Sequence, residues 1–171
     1  MKPPSLIDWS RWIPEIQATI MFIIRDGRIL LIEKKRGLGA GKINGPGGKI
    51  DPGETPLQAA IRETQEELHV TPADPRKLGE LHFWMSQEVP HILCHVYRAD
   101  DFTGIPTETE EAVPVWTPLD KIPYDRMWED DRYWLPLLLE NQSFLGKFAF
   151  EGETLITREI ATDLSSDPLR S

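Results

Sequence analysis

The chain has 171 residues, 40% hydrophobic and 27% charged, with a formal net charge of −9. That length suits one domain with a real core, and the acidic balance argues against nucleic acid as a partner, since the run Lys34-Lys35-Arg36 is too short for a binding patch and suits only a small anion. The single cysteine, Cys94, permits no internal disulfide and fits a reducing cytoplasm, while no apolar run reaches membrane-spanning length and "MKPPSLIDWSRWIPE" lacks a signal-peptide core.

Residues 1–15 read as an extension in which Trp9, Trp12 and Ile13 share helical spacing, predicting a short turn packed on the body. From residue 16 to 32 the pattern is "IQATIMFIIRDGRILLI", two β-branched runs flanking Asp26-Gly27, a strong hairpin signal. Residues 37–53 hold seven glycines and two prolines and are expected to be loop. A helix is predicted over 55–68, with Thr55 as cap and Pro56 in the first helical position. Its inward stripe is expected to be Leu57, Ala60, Ile61, Thr64 and Leu68.

Strands are predicted at about 77–86, 91–99 and 112–117. A second helix follows over 129–141, with aspartates at its positive end and Pro136 as a candidate kink. "FLGKFAF" and "TLITREI" close the order as strands. The whole is one α/β unit over 16–162, a mixed sheet between two helices, with a tail at 163–171 expected to be disordered. Cys94, in an apolar run, is expected in the core.

On the first helix Glu63 and Glu67 lie about 40° apart around the axis, with Glu66 beside them. Three carboxylates ~6 Å apart at an effective dielectric near 20 repel by roughly 3 kcal/mol per pair. Arg62 offsets only one of them. A divalent ion that takes carboxylate and phosphate oxygens together fits better, although the charge pattern alone also fits a solvated helix face. The preceding glycines add to the case, since Gly45, Gly47 and Gly48 let backbone approach a ligand, and Pro52-Gly53 aims Glu54.

Gly48, then Glu54, Arg62-Glu63 and Glu66-Glu67, at intervals of five, seven and two residues, resemble the Nudix box of nucleoside-diphosphate-X hydrolases. Six fixed matches arise by chance on the order of once in 10⁷ start positions at typical residue frequencies. The resemblance implies an α/β/α sandwich and Mg²⁺-dependent attack of water on a pyrophosphate, with Mn²⁺ as a possible substitute. It makes Glu63, Glu66 and Glu67 the metal-ligand positions, Gly47 and Glu111 further ones, Glu67 or Glu66 the base, and Glu54–Arg62 a pair holding helix to loop. Two positions depart from the box. Thr64 stands where an aliphatic residue is usual, and His69 where glycine is usual and left-handed backbone is expected.

Over roughly 16–160, "KKRGLGAGKINGPGGKIDPGET", "MWEDDRYWLPLLLE" and "FLGKFAFEGETL" are similar to the animal-type MutT-homologue branch, which acts on oxidised purine nucleotides. The resemblance implies 8-oxo-dGTP and 2-oxo-dATP as substrates, with monophosphate and pyrophosphate as products. It places Asn44 at a base-reading position, Thr19 and Lys34 along the nucleotide, Pro46, Gly47, Gly48 and Lys49 against it, and Leu38 and Phe83 as pocket walls. Met85 and Ile92 fall where that branch varies its lining.

In "WEDD", Trp128 offers a stacking surface beside Glu129, and Asp130 and Asp131 are adjacent acids. If both aspartates enter a semi-buried pocket, one holds its proton near neutrality, so the pair presents a donor and an acceptor to a purine edge. Capping by the aspartates and core packing of Trp128 is the competing reading of that segment. For the whole chain, the competing readings are the same chemistry on a methylated purine, dGTP or pterin triphosphate, and a non-catalytic nucleotide sensor. The expected partner is a small nucleotide, without nucleic acid or membrane. A cytoplasmic monomer is expected, though the sequence itself leaves oligomeric state open.

Overall fold

The computed structural model describes residues 7–86 and 90–162. The tail expected to be disordered, 163–171, therefore lies outside the described residues, as does the start of the extension, 1–6.

Side-chain alternation along β1 (Ile16–Arg25) organises the fold. Ile20, Phe22 and Ile24 pack with Trp134, Leu135 and Leu138 of α2 (Asp131–Leu139). Met21 and Ile23 pack with Ala60 and Leu68 of α1 (Pro56–Leu68) on the other face. β2 (Arg28–Lys34) divides in the same way, Ile29 and Leu31 toward α2, Leu30 and Ile32 toward α1. These strands are apolar on both faces because each face carries a helix. Each fully buried side chain of this kind contributes about 1.5–3 kcal/mol.

The remaining strands are β3 (Ile43–Asn44), β4 (Gly47–Lys49), β5 (Val70–Ala73), β6 (Arg76–Met85), β7 (Ile92–Ala99), β8 (Asp101–Gly104), β9 (Ala112–Pro118), β10 (Phe144–Glu151) and β11 (Thr154–Ala161). The main sheet runs β11-β10-β6-β7-β1-β2-β3, with β4 on β1 and β9 on β2. It is mixed, since β1–β7 and β6–β10 are parallel and the other pairs antiparallel. The expected α/β/α sandwich is what the chain forms. The β5–β8 ribbon was not anticipated; Pro72 and Gly104 fall within these short strands and masked the pattern.

The glycine segment 37–53, expected as loop, contains β3 and β4. Each is too short, two or three residues, for periodicity to register. Asp26 and Gly27 carry φ of 55° and 74°, the turn geometry that their hairpin requires. Thr55 and Gln58 form a reciprocal capping box at 3.1 and 2.9 Å.

The buried stripe of α1 differs from expectation. Leu57 is 40% exposed, whereas Ala59 and Glu67 are buried. The helix is rotated so that Glu67 points inward, a choice apolar periodicity does not reveal. Thr64 is fully buried, its hydroxyl satisfied by the Ala60 carbonyl at 2.8 Å. α2 is shorter than the expected 129–141 and retains Pro136 inside it. Arg98 of β7 reaches its C-terminal end and donates to the carbonyls of Leu138 and Leu139 at 2.9 and 3.0 Å. That charged cap fixes the helix whose opposite end carries Asp130 and Asp131.

His69 ends α1 at φ 61°, ψ 32°, as the missing glycine foretold. His69→Gly relieves that left-handed strain, so stability should rise by about 1 kcal/mol and Tm by about 2–4 °C in thermal unfolding.

Candidate active site

The site begins with two missing Cβ atoms. A Cβ on Gly47 would lie 2.0 Å from the Thr19 carbonyl oxygen, and one on Gly48 would lie 2.6 Å from the Glu63 carboxyl carbon. Glycine at both positions lets β4 sit between β1 and α1. The Gly47 N–H then donates to Glu67 Oε1 at 3.1 Å.

Glu63, Glu67 and Glu111 converge here, with carboxylate oxygens all within 4.8 Å of one another. Burial pushes the Glu67 carboxyl up to about 8, with the charges of Glu63 and Glu111 adding to the effect and the Gly47 N–H opposing it. Burial raises Glu63 as well. Glu66 stands apart from this trio, about half exposed, with Arg62 Nη1 3.3 Å away. Glu111, the further ligand position implied by the resemblance, joins Glu63 and Glu67 in the cluster. It arrives on a loop fastened by Thr109, whose hydroxyl donates to the Glu67 carbonyl at 2.9 Å and accepts from the Glu111 N–H at 3.2 Å. Thr109 was not singled out in the sequence, because a loop threonine carries no periodic or compositional signal.

Arg62 and Glu54 form a two-pronged pair at 2.6 and 2.8 Å. The guanidinium holds the Glu54 carboxyl down at about 2. Arg62 also reaches the Lys49 carbonyl at 3.1 Å and Glu63 at 2.9 Å, tying loop and helix together. The Lys49 side chain itself is exposed, so its contribution here is backbone.

Thr19, one residue from Ile20, faces the α1 side. Its hydroxyl is buried and has no hydrogen-bond partner among the described residues. Lys34 lies on the same face, close enough for its charge to act on Glu67. Three oxygen donors converging beside a cation and a free hydroxyl match the hard-ligand preference of a divalent metal with its phosphates.

On the α2 side lies a cavity of about 140 Å³. Leu38, Asn44, Phe83, Trp128, Asp130 and Asp131 line it, as do Met85 and Ile92. Ile20, Leu81, Cys94, Trp134 and Phe150 complete the walls; of these only Cys94 was singled out in the sequence, as core, since residue type does not separate a core wall from a cavity wall. Cys94 is buried as expected, and burial raises its thiol out of the reactive range. Glu129 turns away, pairing with Arg132 at 3.6 Å, and does not line the cavity.

The aspartates do not cap α2 through their side chains. Asp130 makes no such bond and instead accepts from Trp134 Nε1 at 2.7 Å. Asp131 Oδ2 is buried without a hydrogen-bond partner among the described residues. Burial lifts Asp130 to about 6 and, with the adjacent Asp130 charge, lifts Asp131 well above the usual aspartate range. Trp128 meets Phe150 edge-on at 5.7 Å, and Lys42 Nζ sits 5.0 Å from its ring centre. Pro46 is buried between the two halves, its carbonyl accepting from Met21 N–H at 2.8 Å.

Residues 14–138 match the NUDIX domain family. The chain belongs to the Nudix family. Among its Nudix relatives, the zebrafish (Danio rerio) oxidized purine nucleoside triphosphate hydrolase is 45% identical over 138 residues, covering 81% of this chain and 88% of that one. The mouse (Mus musculus) protein of the same name is 41% identical over the same shares. A solved MutT protein from Bacillus halodurans shares the fold with a TM-score of 0.77 at 21% identity, covering 90% of this chain and 99% of its own.

The buried aspartates set a pH signature. A carboxyl whose folded pKa is raised contributes most at low pH, and that contribution falls as pH rises from 3.8, the ordinary value, through about 6 for Asp130. Replacing both acids with asparagine, which keeps an acceptor for Trp134, should therefore raise Tm relative to wild type more at pH 8 than at pH 5. The expected difference is on the order of 3 °C, read by thermal unfolding at both pH values.

Proposed function

We propose that this chain hydrolyses oxidised purine (deoxy)nucleoside triphosphates, 8-oxo-dGTP and 2-oxo-dATP among them, to the monophosphate and pyrophosphate. The observation that carries the reading is the placement of two different chemistries on one short segment. Asn44 opens onto a cavity with two buried aspartates of raised proton affinity, and Gly47, three residues on, bonds the carboxylate cluster. A nucleotide with its base in the cavity can lay its phosphates along Asn44–Gly48 toward Glu63, Glu67 and Glu111. The names of the zebrafish and mouse relatives point to the same substrate class.

Glu63, Glu67 and Glu111 would hold Mg²⁺, or Mn²⁺ in its place. The cation's chemistry is to neutralise phosphate charge and lower the pKa of a bound water. Glu67, oriented by the Gly47 N–H, would act as the base for that water once the positive charge beside it had displaced its own proton. Lys34 offsets phosphate charge, and the unpartnered Thr19 hydroxyl donates to a ligand oxygen. Glu54 and Arg62 hold the helix against the loop throughout.

Base recognition falls to Asn44, Asp130 and Asp131. One protonated and one ionised carboxyl present a donor and an acceptor, and moving the proton between them matches a second purine tautomer. Trp128 supplies a flat surface beside them. The enzyme acts on free nucleotides in the cytoplasm, with neither nucleic acid nor membrane as partner. No helix among the described residues is long and apolar enough to cross a membrane.

Comparing kcat/KM for 8-oxo-dGTP, 2-oxo-dATP, dGTP and a methylated purine triphosphate tests the reading. The oxidised purines should lead, and equal rates on all four would overturn it. Glu67→Gln should lower kcat by about 10²–10⁴ with Tm retained, and chelation of divalent cations should abolish turnover. Asp130→Asn should narrow the preference for oxidised bases more than it slows pyrophosphate release, measured on the same substrate panel.

A further inference from the structure

Trp12 lies on the opposite side of the sheet from the base cavity. Leu81 and Phe83 of β6 line that cavity, so His82 between them faces the other way. Trp12 stacks on His82 with ring centres 4.6 Å apart and planes within 7°. Its indole N–H donates to the Phe83 carbonyl at 2.9 Å. Trp12 therefore grips, from behind, the backbone of a residue whose ring walls the cavity.

The following residues continue this attachment. The backbone N–H groups of Glu15 and Ile16 both donate to the His91 carbonyl, at 2.9 and 3.1 Å, and the His91 N–H returns a bond to Glu15 Oε1 at 3.1 Å. The His91 ring in turn accepts from the Met85 N–H through Nδ1 at 3.0 Å. Met85 and Ile92, which flank this junction, both line the cavity. A chain of direct contacts thus runs from the N-terminal segment to three cavity residues without touching the carboxylate cluster.

We propose that Trp12 is a positioning residue for base recognition, holding Phe83 of the cavity's outer wall in register with Asp130 and Asp131, while the Glu15–His91 contacts hold Met85 and Ile92 beside it. The proposal rests on the reading of the cavity as the base site. Trp12 touches neither base nor phosphate, and it acts through the Phe83 backbone and the His82 ring. Its loss loosens the wall and weakens base binding, while the metal-side geometry that sets the chemical step is untouched.

The test uses the full chain with Trp12→Ala and Trp12→Phe. The phenylalanine retains a ring over His82 but lacks the N–H. Steady-state kinetics with 8-oxo-dGTP give KM and kcat, and calorimetry with 8-oxo-dGMP reports base binding apart from turnover. Trp12→Ala should raise KM and Kd about tenfold and Trp12→Phe about threefold, with kcat within twofold of wild type. Should Trp12→Ala fail to fold, Trp12→Phe decides alone. Wild-type protein that does not bind 8-oxo-dGMP would remove the base-site reading and this proposal together. Wild-type binding with Kd unchanged in the folded variants, or a loss confined to kcat, would overturn the role of Trp12 alone.

Discussion

The arrangement depends on one close approach. The backbone of Gly47 and Gly48 runs so near to β1 and α1 that no side chain fits at either position. That contact brings a main-chain N–H to Glu67 and allows a carboxylate to be buried on the inner side of a helix. An unpaired buried carboxylate would cost several kcal/mol. Here one amide bond, the neighbouring Lys34 charge and a raised proton affinity share that cost. The Glu54–Arg62 pair closes the same loop from outside and so keeps the glycine backbone in place.

The same economy appears on the other face. Asp130 and Asp131 begin α2, where negative charge is ordinarily welcome, yet neither spends its carboxylate on capping. Trp134 takes one oxygen of Asp130, and an oxygen of Asp131 remains unmatched within the protein. Arg98 secures the far end of the helix, and Trp134 holds Asp130 at the near end. A buried polar atom without a partner destabilises a fold by about 1–3 kcal/mol, which is reasonable only where a ligand completes it.

Most of the fold was legible in the sequence, because helices on both faces impose long apolar strands and α1 carries a full set of caps. The carboxylates of α1 and the aspartates of "WEDD" stood out through spacing and type, and the Glu54–Arg62 pair through the resemblance to the Nudix box. What escaped had physical reasons. β3 and β4 are shorter than any period. Glu67 reverses the rule that charged residues face outward, which misplaced the inner face of α1. Glu66 shares the stripe of Glu63 and Glu67 in an ideal helix, yet its carboxylate is half exposed beside Arg62, a side-chain orientation that spacing does not reveal. Glu129 is adjacent to two cavity residues in sequence, yet the helix start turns it toward Arg132.

β1 serves two masters through adjacent positions. Thr19 belongs to the side of the carboxylates and Ile20 to the side of the cavity, and the strand exchanges its neighbour from β4 to β2 within a few residues. Because consecutive side chains point to opposite faces, insertion or deletion of a single residue there would swap hydroxyl for hydrocarbon in both compartments at once. Point substitutions in the cavity walls leave that alternation intact; a change in the length of this strand does not.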